Sequence, residues 1–219
     1  MAQVDRGRLI VFEGGEGSGK TTQLRRLSAL LAKKAIGHVC VREPGGTPLG
    51  TDVRRLLLDR ASDIDPRAEA LLFMASRAQL VVREIRPALE RGDYVLLDRF
   101  FLSTYAYQVA GHHLDESAIR AANAFATDSL VPDLTLLLRY PVHQGLERAA
   151  GRASSHDRIE AFGDSFHERV AAALTSFAEP EWQAAHPECG PIVSVDATGT
   201  EDDVAQRVLA MVTERWSFA

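Results

Sequence analysis

The sequence predicts an α/β fold in which a doubly wound, five-stranded parallel sheet is flanked by helices. Five short apolar runs alternate with helical patterns along the chain. These runs are nearly continuously apolar, which is typical of strands buried on both faces of a parallel sheet. A glycine-rich segment also joins the first run to the first helical pattern, as expected where a strand of such a sheet turns into a helix.

The predicted elements follow one another in a regular order. Strands are expected at 9–12, 38–42, 94–97, 134–138 and 192–195. Helices are expected at 22–35, 50–59, 66–91, 116–126, 142–150, 163–178 and 201–216. The first helix carries Leu24, Leu27 and Leu31 on one face and ends near Gly37. Because ligands of open parallel sheets bind at the carboxyl ends of the strands, we expect the functional site there.

The composition is that of a soluble globular protein. The 219 residues are 46% apolar and 25% charged, which predicts a single domain over residues 1–219. A net charge of −5 disfavours a nucleic-acid partner. The start lacks a secretory signal and no apolar run has the length of a membrane span, so no membrane association is expected. Cys40 and Cys189 lie far apart, which predicts reduced thiols and a cytoplasmic protein.

The segment after the first strand matches the phosphate-binding pattern G-x-x-x-x-G-K-[ST]. Its residues are Gly14, Gly15, Glu16, Gly17, Ser18, Gly19, Lys20 and Thr21, followed by Thr22. Glycines allow successive backbone N–H groups to face a polyphosphate, while Lys20 approaches the outer phosphates and Thr21 offers a hydroxyl to Mg²⁺. We therefore expect a bound ATP or GTP. The only asparagine, Asn123, leaves no Asn-Lys-x-Asp guanine-binding motif, which favours a small ATP-dependent phosphotransferase.

A second chemical signal follows the third strand. Asp98 and Arg99 stand where the apolar run 94–97 ends, at the expected ligand edge. Asp98 is suited to hold Mg²⁺ directly or through water, and Arg99 to face a second anion. A surface ion pair is the alternative interpretation of these two residues.

Five ordered segments of the chain resemble the thymidylate kinase family. They are FEGGEGSGKTT at 12–22, REPGGT at 42–47, FMASRAQ at 73–79, DRFFLSTYAYQ at 98–108 and DRIE at 157–160. The resemblance implies a nucleoside monophosphate kinase fold with a phosphate loop. It also implies ATP- and Mg²⁺-dependent phosphorylation of dTMP to dTDP by a homodimer of the bacterial type, in which the lid carries the arginines.

The resemblance assigns the dTMP base to side chains that would otherwise be ordinary core or surface residues. It implies that Phe73 stacks on thymine, Arg77 donates to the base carbonyl at position 4, and Thr104 meets the thymine edge. Tyr107 would crowd C2′ and disfavour ribonucleotides, with Ser103 and Gln108 beside it. A buried Phe73, a solvated Arg77 and a helix start capped by Ser103 or Thr104 are the alternatives.

The remaining roles implied by the resemblance concern the phosphates and the sugar. Glu16 would accept from the 3′-hydroxyl of dTMP, and Arg54 and Arg99 would grip the dTMP phosphate, with Arg55 competing for the place of Arg54. Glu43 and Pro44 would lie near the metal or the acceptor. In a lid at about 148–160, Arg148 would stack on adenine. Lid residues Arg152 and Arg158 would join Lys20 in stabilising the transferring phosphoryl group. Catalysis would also depend on Asp98, which helps to hold Mg²⁺, and on Arg99, which holds the acceptor in line.

Two other functions stay open at this point. The chain could be another small kinase, acting on a deoxynucleoside or a different pyrimidine monophosphate, since these share the fold and the phosphate loop. It could also be a catalytically silent nucleotide-binding protein, which the intact Lys20, Thr21, Asp98 and Arg99 argue against.

Overall fold

The computed structural model describes residues 6–151 and 157–217. Its sheet consists of β1 (Leu9–Gly14), β2 (His38–Arg42), β3 (Tyr94–Asp98), β4 (Leu134–Arg139) and β5 (Ile192–Asp196). The strand order is β2-β3-β1-β4-β5, and every adjacent pair is parallel. The predicted five-stranded parallel sheet is therefore confirmed, with the phosphate loop leaving its central strand.

Helices connect successive strands, and each predicted helix is present with bounds within two residues of those expected. The helices are α1 (Lys20–Lys33), α2 (Pro48–Leu58), α3 (Pro66–Leu80), α4 (Arg86–Glu90), α5 (Phe101–Thr104), α6 (Glu116–Thr127), α7 (Val142–Ala150), α8 (Asp164–Ser176), α9 (Pro180–Ala185) and α10 (Glu201–Arg215). A π-helical turn, Tyr105–Gly111, continues α5, and a 3₁₀ turn, Pro187–Cys189, follows α9. The helices expected from the sequence patterns include neither α9 with its 3₁₀ turn nor α5 with its π-helical turn, although a helix start at Ser103 or Thr104 is the alternative interpretation of the latter segment.

The long helix expected at 66–91 is interrupted. A π-helical turn, Val81–Ile85, separates α3 from α4 just before Pro87. Because proline has no N–H and its ring clashes with the preceding turn, a regular ladder of hydrogen bonds cannot pass this point.

The sheet separates two apolar cores, and alternate residues of β1 face each of them. Leu9 and Val11 pack in the core that also contains residues of α4, α5 and α8. Ile10 and Phe12 pack in the core that α1 and α10 cover. Both cores are built from fully buried strand residues, as expected for a doubly wound sheet.

The expectation of strands buried on both faces is wrong for β2, and also for the opposite edge strand β5, in which Ser194 and Asp196 are exposed. Strand β2 lies at one edge of the sheet, and its side chains are half-buried or exposed. At the periphery of both helical layers, an edge strand is only partly covered, whereas β1 is buried throughout. In the described parts of the chain, no helix combines the length and apolar character needed to cross a membrane.

Candidate active site

The phosphate loop joins β1 to α1 at the centre of the carboxyl edge of the sheet. Gly19 adopts a φ of 91°, in the left-handed region that favours glycine, and α1 begins directly after it. No side chain from the described part of the chain caps this helix start. The first N–H groups of α1 can therefore bind an anion, which the dipole of the helix also favours.

Helix α7 touches the phosphate loop through two glycines. A Cβ atom placed on Gly17 would lie 2.0 Å from the carbonyl oxygen of Gly145, and one on Gly145 would lie 2.3 Å from that of Glu16. Either methyl group would push the two backbones apart. The absence of side chains at both positions thus allows the helix that leads into the predicted lid to rest on the loop.

Lys20 lies beneath the loop with its ammonium group enclosed. Its Nζ donates to the carbonyl oxygens of Gly14 at 3.0 Å and Gly15 at 2.7 Å. Burial, reinforced by the neighbouring Arg99, lowers the pKa of Lys20 to about 8, although Glu16 opposes the shift. The site thus holds a cation that burial destabilises and that an incoming polyphosphate would stabilise.

Thr21 and Asp98 form an oxygen pair beside Lys20. Asp98 ends β3, next to Phe12 of β1, and its Oδ2 accepts a hydrogen bond of 2.6 Å from Thr21 Oγ1. A hydroxyl and a carboxylate at this spacing fit the preference of Mg²⁺ for oxygen ligands, with phosphate and water supplying the rest. The two residues predicted to serve the metal are therefore brought together.

Arg99 and Glu16 form an ion pair across the mouth of the loop. Arg99 Nη2 lies 2.5 Å from Glu16 Oε1, and Arg99 Nη1 donates to Ser103 Oγ at 3.0 Å. Tyr107 donates its hydroxyl to the same Glu16 oxygen at 2.9 Å. Burial acts to raise the pKa of Glu16, but Arg99, Lys20 and the Tyr107 hydroxyl outweigh it and lower this pKa to about 2. Glu16 is therefore a carboxylate at neutral pH.

The backbone of Arg99 is strained. Its φ of 70° lies in the left-handed region, which is costly for a residue with a side chain. The strain is stored where the chain leaves β3, between Asp98 and the helical segment that follows. Such outliers persist where the surrounding structure demands them, and they cluster at functional sites.

Two adjoining cavities open at this edge of the sheet. The first, which we call the loop cavity, contains Lys20, Thr21 and Asp98. The second, which we call the inner cavity, is lined by all eleven residues predicted to bind the acceptor: Glu16, Glu43, Pro44, Arg54, Phe73, Arg77, Arg99, Ser103, Thr104, Tyr107 and Gln108. Five charged residues line both cavities, so the two meet at a boundary rich in charge: Glu16, Glu43, Arg54, Arg99 and Glu160.

The loop cavity is lined by more cations than the sequence patterns indicated. Arg25 and Arg42 line it in addition to Arg54 and Arg99. Burial, followed by the charges of Arg42 and Arg99, lowers the pKa of Arg54. Arg42 ends β2 at the ligand edge, and that position could have identified it. Arg54 faces the cavities, whereas its neighbour Arg55 is exposed and pairs with Asp52.

Arg77 lies at the floor of the inner cavity and is fully buried. Its Nε donates to Glu43 Oε2 at 2.7 Å, its Nη1 bonds to Asn123 Oδ1, and its Nη2 donates to the carbonyl oxygen of Phe100 at 3.0 Å. Its guanidinium lies 4.9 Å from the centre of the Phe100 ring. The alternative of a solvated helix charge is therefore wrong. Phe73, one turn earlier on α3, is half-buried and lines the same cavity.

Glu13 is a site residue to which the sequence patterns assigned no role. It is fully buried, and its Oε1 accepts from the backbone N–H groups of Phe100 at 2.7 Å and Ser103 at 3.1 Å. Its Oε2 accepts from Ser103 Oγ at 2.7 Å. The start of α5 is therefore capped by Glu13 from β1, and the alternative of a helix start capped by Ser103 or Thr104 is wrong.

The residues of the predicted lid are placed in different surroundings. Arg148 lines a third cleft with Gly17, Ser18 and the 199–201 turn, and its guanidinium lies 4.1 Å from the centre of the Tyr140 ring. Arg152 lies outside the described residues. Arg158 is not among the residues that line the loop cavity, because its guanidinium bonds to the buried Glu69.

Comparison with known proteins identifies related sequences over nearly the whole chain. The sequence model of the thymidylate kinase family matches residues 12–197. The chain is 46% identical over 214 residues to a thymidylate kinase of Deinococcus radiodurans, and the aligned region covers 97% of this chain and 99% of that protein. It is 45% identical over 208 residues to a thymidylate kinase of Thermomicrobium roseum, with 94% of each chain covered.

Proposed function

The chain belongs to the thymidylate kinase family, and we propose that its two adjoining cavities bind ATP and dTMP for in-line transfer of the γ-phosphoryl group. The reaction of this family phosphorylates dTMP to dTDP with ATP. One observation carries the assignment of the site: the ion pair of Arg99 with Glu16 lies at the boundary between the loop cavity and the inner cavity. A nucleotide bound at this boundary would place its phosphate beside the cation Arg99 and its sugar beside the anion Glu16.

On the donor side, the phosphate loop and Lys20 bind the polyphosphate of ATP. The backbone N–H groups at the start of α1 already point toward a bound phosphate, and the ammonium group exchanges its bonds to Gly14 and Gly15 for phosphate oxygens. Thr21 and Asp98 hold Mg²⁺, which neutralises phosphate charge when it is bound. Removing Lys20 or Arg99 should lower kcat by about 10³-fold, as for other charges that stabilise a transferring phosphoryl group.

On the acceptor side, the inner cavity binds dTMP. Arg54 and Arg99 grip the phosphate, Glu16 accepts from the 3′-hydroxyl, and Phe73 stacks on the base. The acceptor is a phosphate oxygen that is already anionic, so no strong general base is needed, and catalysis consists of positioning and charge neutralisation. Glu43 orients Arg77 beneath the base rather than acting on the reacting atoms.

The lid at about 148–160 completes the donor site. Arg148 stacks on adenine in the third cleft, and Arg152 reaches the transferring phosphoryl group. Closure over ATP excludes water, which would otherwise hydrolyse ATP when the acceptor site is empty.

The proposed enzyme is a cytoplasmic homodimer. Three large apolar side chains are exposed on neighbouring helical segments: Leu71 by 65%, Val82 by 60% and Phe125 by 92%. Helices α3 and α6, which carry two of them, pack side by side, so these side chains favour one shared apolar surface. Apolar surface of this kind favours association with another protein, and a second copy is the occupant proposed here.

An assay of ADP release with Mg-ATP tests the proposal, with dTMP, dUMP, CMP, AMP and thymidine offered in parallel. Strong turnover with dTMP, and loss of turnover in Lys20→Met, are the expected results. Turnover with thymidine or CMP instead of dTMP would contradict the assignment of the inner cavity while leaving the phosphate loop in place. Absence of turnover with every acceptor would favour a silent nucleotide-binding protein.

A further inference from the structure

A buried carboxylate outside the reacting centre connects the lid to the inner cavity. Glu69, in the first turn of α3, is 1% exposed. Its Oε2 bonds to Arg158 Nη2, and its Oε1 accepts from Gln108 Nε2 at 2.9 Å. His112 Nε2 lies 3.2 Å from the same Oε1. Burial acts to raise the pKa of Glu69, but the neighbouring His112, Arg158 and Gln108 lower it overall.

Arg158 is held by three separate contacts. Besides its bond to Glu69, its Nε donates to the carbonyl oxygen of Leu57 at 2.9 Å, and its backbone N–H donates to that of Leu58 at 3.1 Å. The residue is 9% exposed. The end of the predicted lid is therefore attached to the last turn of α2 and the first turn of α3.

The neighbours of Arg158 face the opposite way. Asp157, Ile159 and Glu160 line the inner cavity, whereas Arg158 does not. The Asp157 side chain accepts from the N–H groups of Ile159 and Glu160, each at 2.9 Å, so this stretch forms a tight turn. Because Arg158 is anchored on the opposite side of this turn, its bonds hold the three neighbouring residues against the inner cavity. Gln108 lines the cavity too, so Glu69 joins two of its walls.

Charge burial argues that Arg158 stays with Glu69. If Arg158 turned toward the phosphate loop, Glu69 would remain as a buried carboxylate without its main cation. Breaking a buried ion pair by removing one partner is strongly destabilising, whereas replacing both charges together is tolerated far better. The two residues should therefore behave as a unit.

We propose that Glu69 and Arg158 are positioning residues that clamp residues 157–160 against α2 and α3, thereby build one wall of the inner cavity, and do not contact the transferring phosphoryl group. The inference rests on the phosphoryl transfer proposed above, because the wall matters only if the inner cavity binds the acceptor. It replaces the catalytic role that the resemblance implies for Arg158.

A double-variant cycle in the full-length protein tests the clamp. Glu69→Gln and Arg158→Gln should each raise the KM for dTMP by about tenfold or more, with the KM for ATP changed less than twofold. The double variant carries two amides that can bond to each other and no unpaired charge, so its KM for dTMP should recover toward the wild-type value. Arg55→Gln and Asp52→Asn, which alter an exposed pair on α2, are the matched controls and should change neither constant.

The opposite pattern would overturn the clamp. If Arg158 touches the transferring group, Arg158→Gln will lower kcat by a hundredfold or more, Glu69→Gln will change little, and the double variant will resemble Arg158→Gln. Urea unfolding of the wild type, the two single variants at Glu69 and Arg158 and the double variant tests the pair without relying on turnover. If the losses in the free energy of unfolding are additive, the clamp is also refuted. A wild-type protein that does not phosphorylate dTMP would contradict the proposed function instead, while the unfolding cycle would still decide on the clamp.

Discussion

At the scale of single residues, burial gives Lys20 a pKa near the pH of the cell. A bound polyphosphate prefers the charged ammonium group, so binding of ATP and protonation of Lys20 favour each other. Above pH 8 the free enzyme loses this proton. The Kd for Mg-ATP should therefore rise as pH increases from about 8 toward the higher pKa of the complex.

Equilibrium binding of Mg-ATP between pH 7 and 9.5 measures this effect. Lys20→Arg is the matched control, because a guanidinium keeps its charge over this range. Its affinity should be lower but nearly independent of pH. A wild-type Kd that stays flat across pH 8 would contradict the depressed pKa.

Tyr107 offers a test of acceptor specificity at the same scale. Its hydroxyl bonds to Glu16, and the ring lines the inner cavity. If the ring crowds C2′, Tyr107→Ala should reduce the preference for dTMP over the ribonucleotide, measured as the ratio of kcat/KM values, by about tenfold. Tyr107→Phe keeps the ring and should keep the preference, so an equal loss in both variants would assign discrimination to the hydroxyl.

At the scale of elements, the helical segment that begins with α5 depends on Glu13 of β1. In Glu13→Gln, an amide N–H₂ group would face backbone donors, and one buried donor would lose its acceptor. We expect a loss of about 1–3 kcal/mol in the free energy of unfolding, together with a higher KM for dTMP, because Ser103 also holds Arg99.

Urea unfolding and steady-state kinetics measure the two effects together. Asp115→Ala is the control, since Asp115 caps α6 through the N–H group of Ala118 and takes no part in either cavity. It should lower stability and leave the KM for dTMP unchanged. An unchanged KM in Glu13→Gln would mean that the cap serves stability alone.

At the scale of the whole molecule, the exposed apolar side chains on α3 and α6 predict self-association. A charge at Leu71 or Phe125 would have to be desolvated in the interface, so Leu71→Asp and Phe125→Asp should shift the protein from dimer to monomer. Light scattering coupled to size-exclusion chromatography gives the mass. Val142→Asp places the same charge on exposed α7 and should leave the dimer intact. A wild-type monomer would refute the homodimer.

The sequence by itself determined the parallel sheet, the helices expected from its periodicity, the phosphate loop and, through the family resemblance, the eleven predicted acceptor residues that line the inner cavity. These features depend on local information: the apolar runs, the helical periodicity, and contiguous motifs at the ends of β1 and β3. Because parallel strands bring their carboxyl ends to the same edge of the sheet, the motifs that follow β1 and β3 lie close together in any such fold. The single domain, the lid and the individual catalytic roles stay predictions.

Only the tertiary structure decided which charges are paired. Arg77 bonds to Glu43, 34 positions before it, and to Asn123, 46 positions after it. Arg158 bonds to Glu69, 89 positions before it. The cap of α5 comes from Glu13, 87 positions before Phe100. No local pattern encodes such partners. Packing decides which charged groups are buried next to each other, and the free-energy cost of burying an unpaired charge then favours their pairing. For this reason the family resemblance implies a catalytic role for Arg158, whereas in the folded chain this residue lies in a buried ion pair with Glu69.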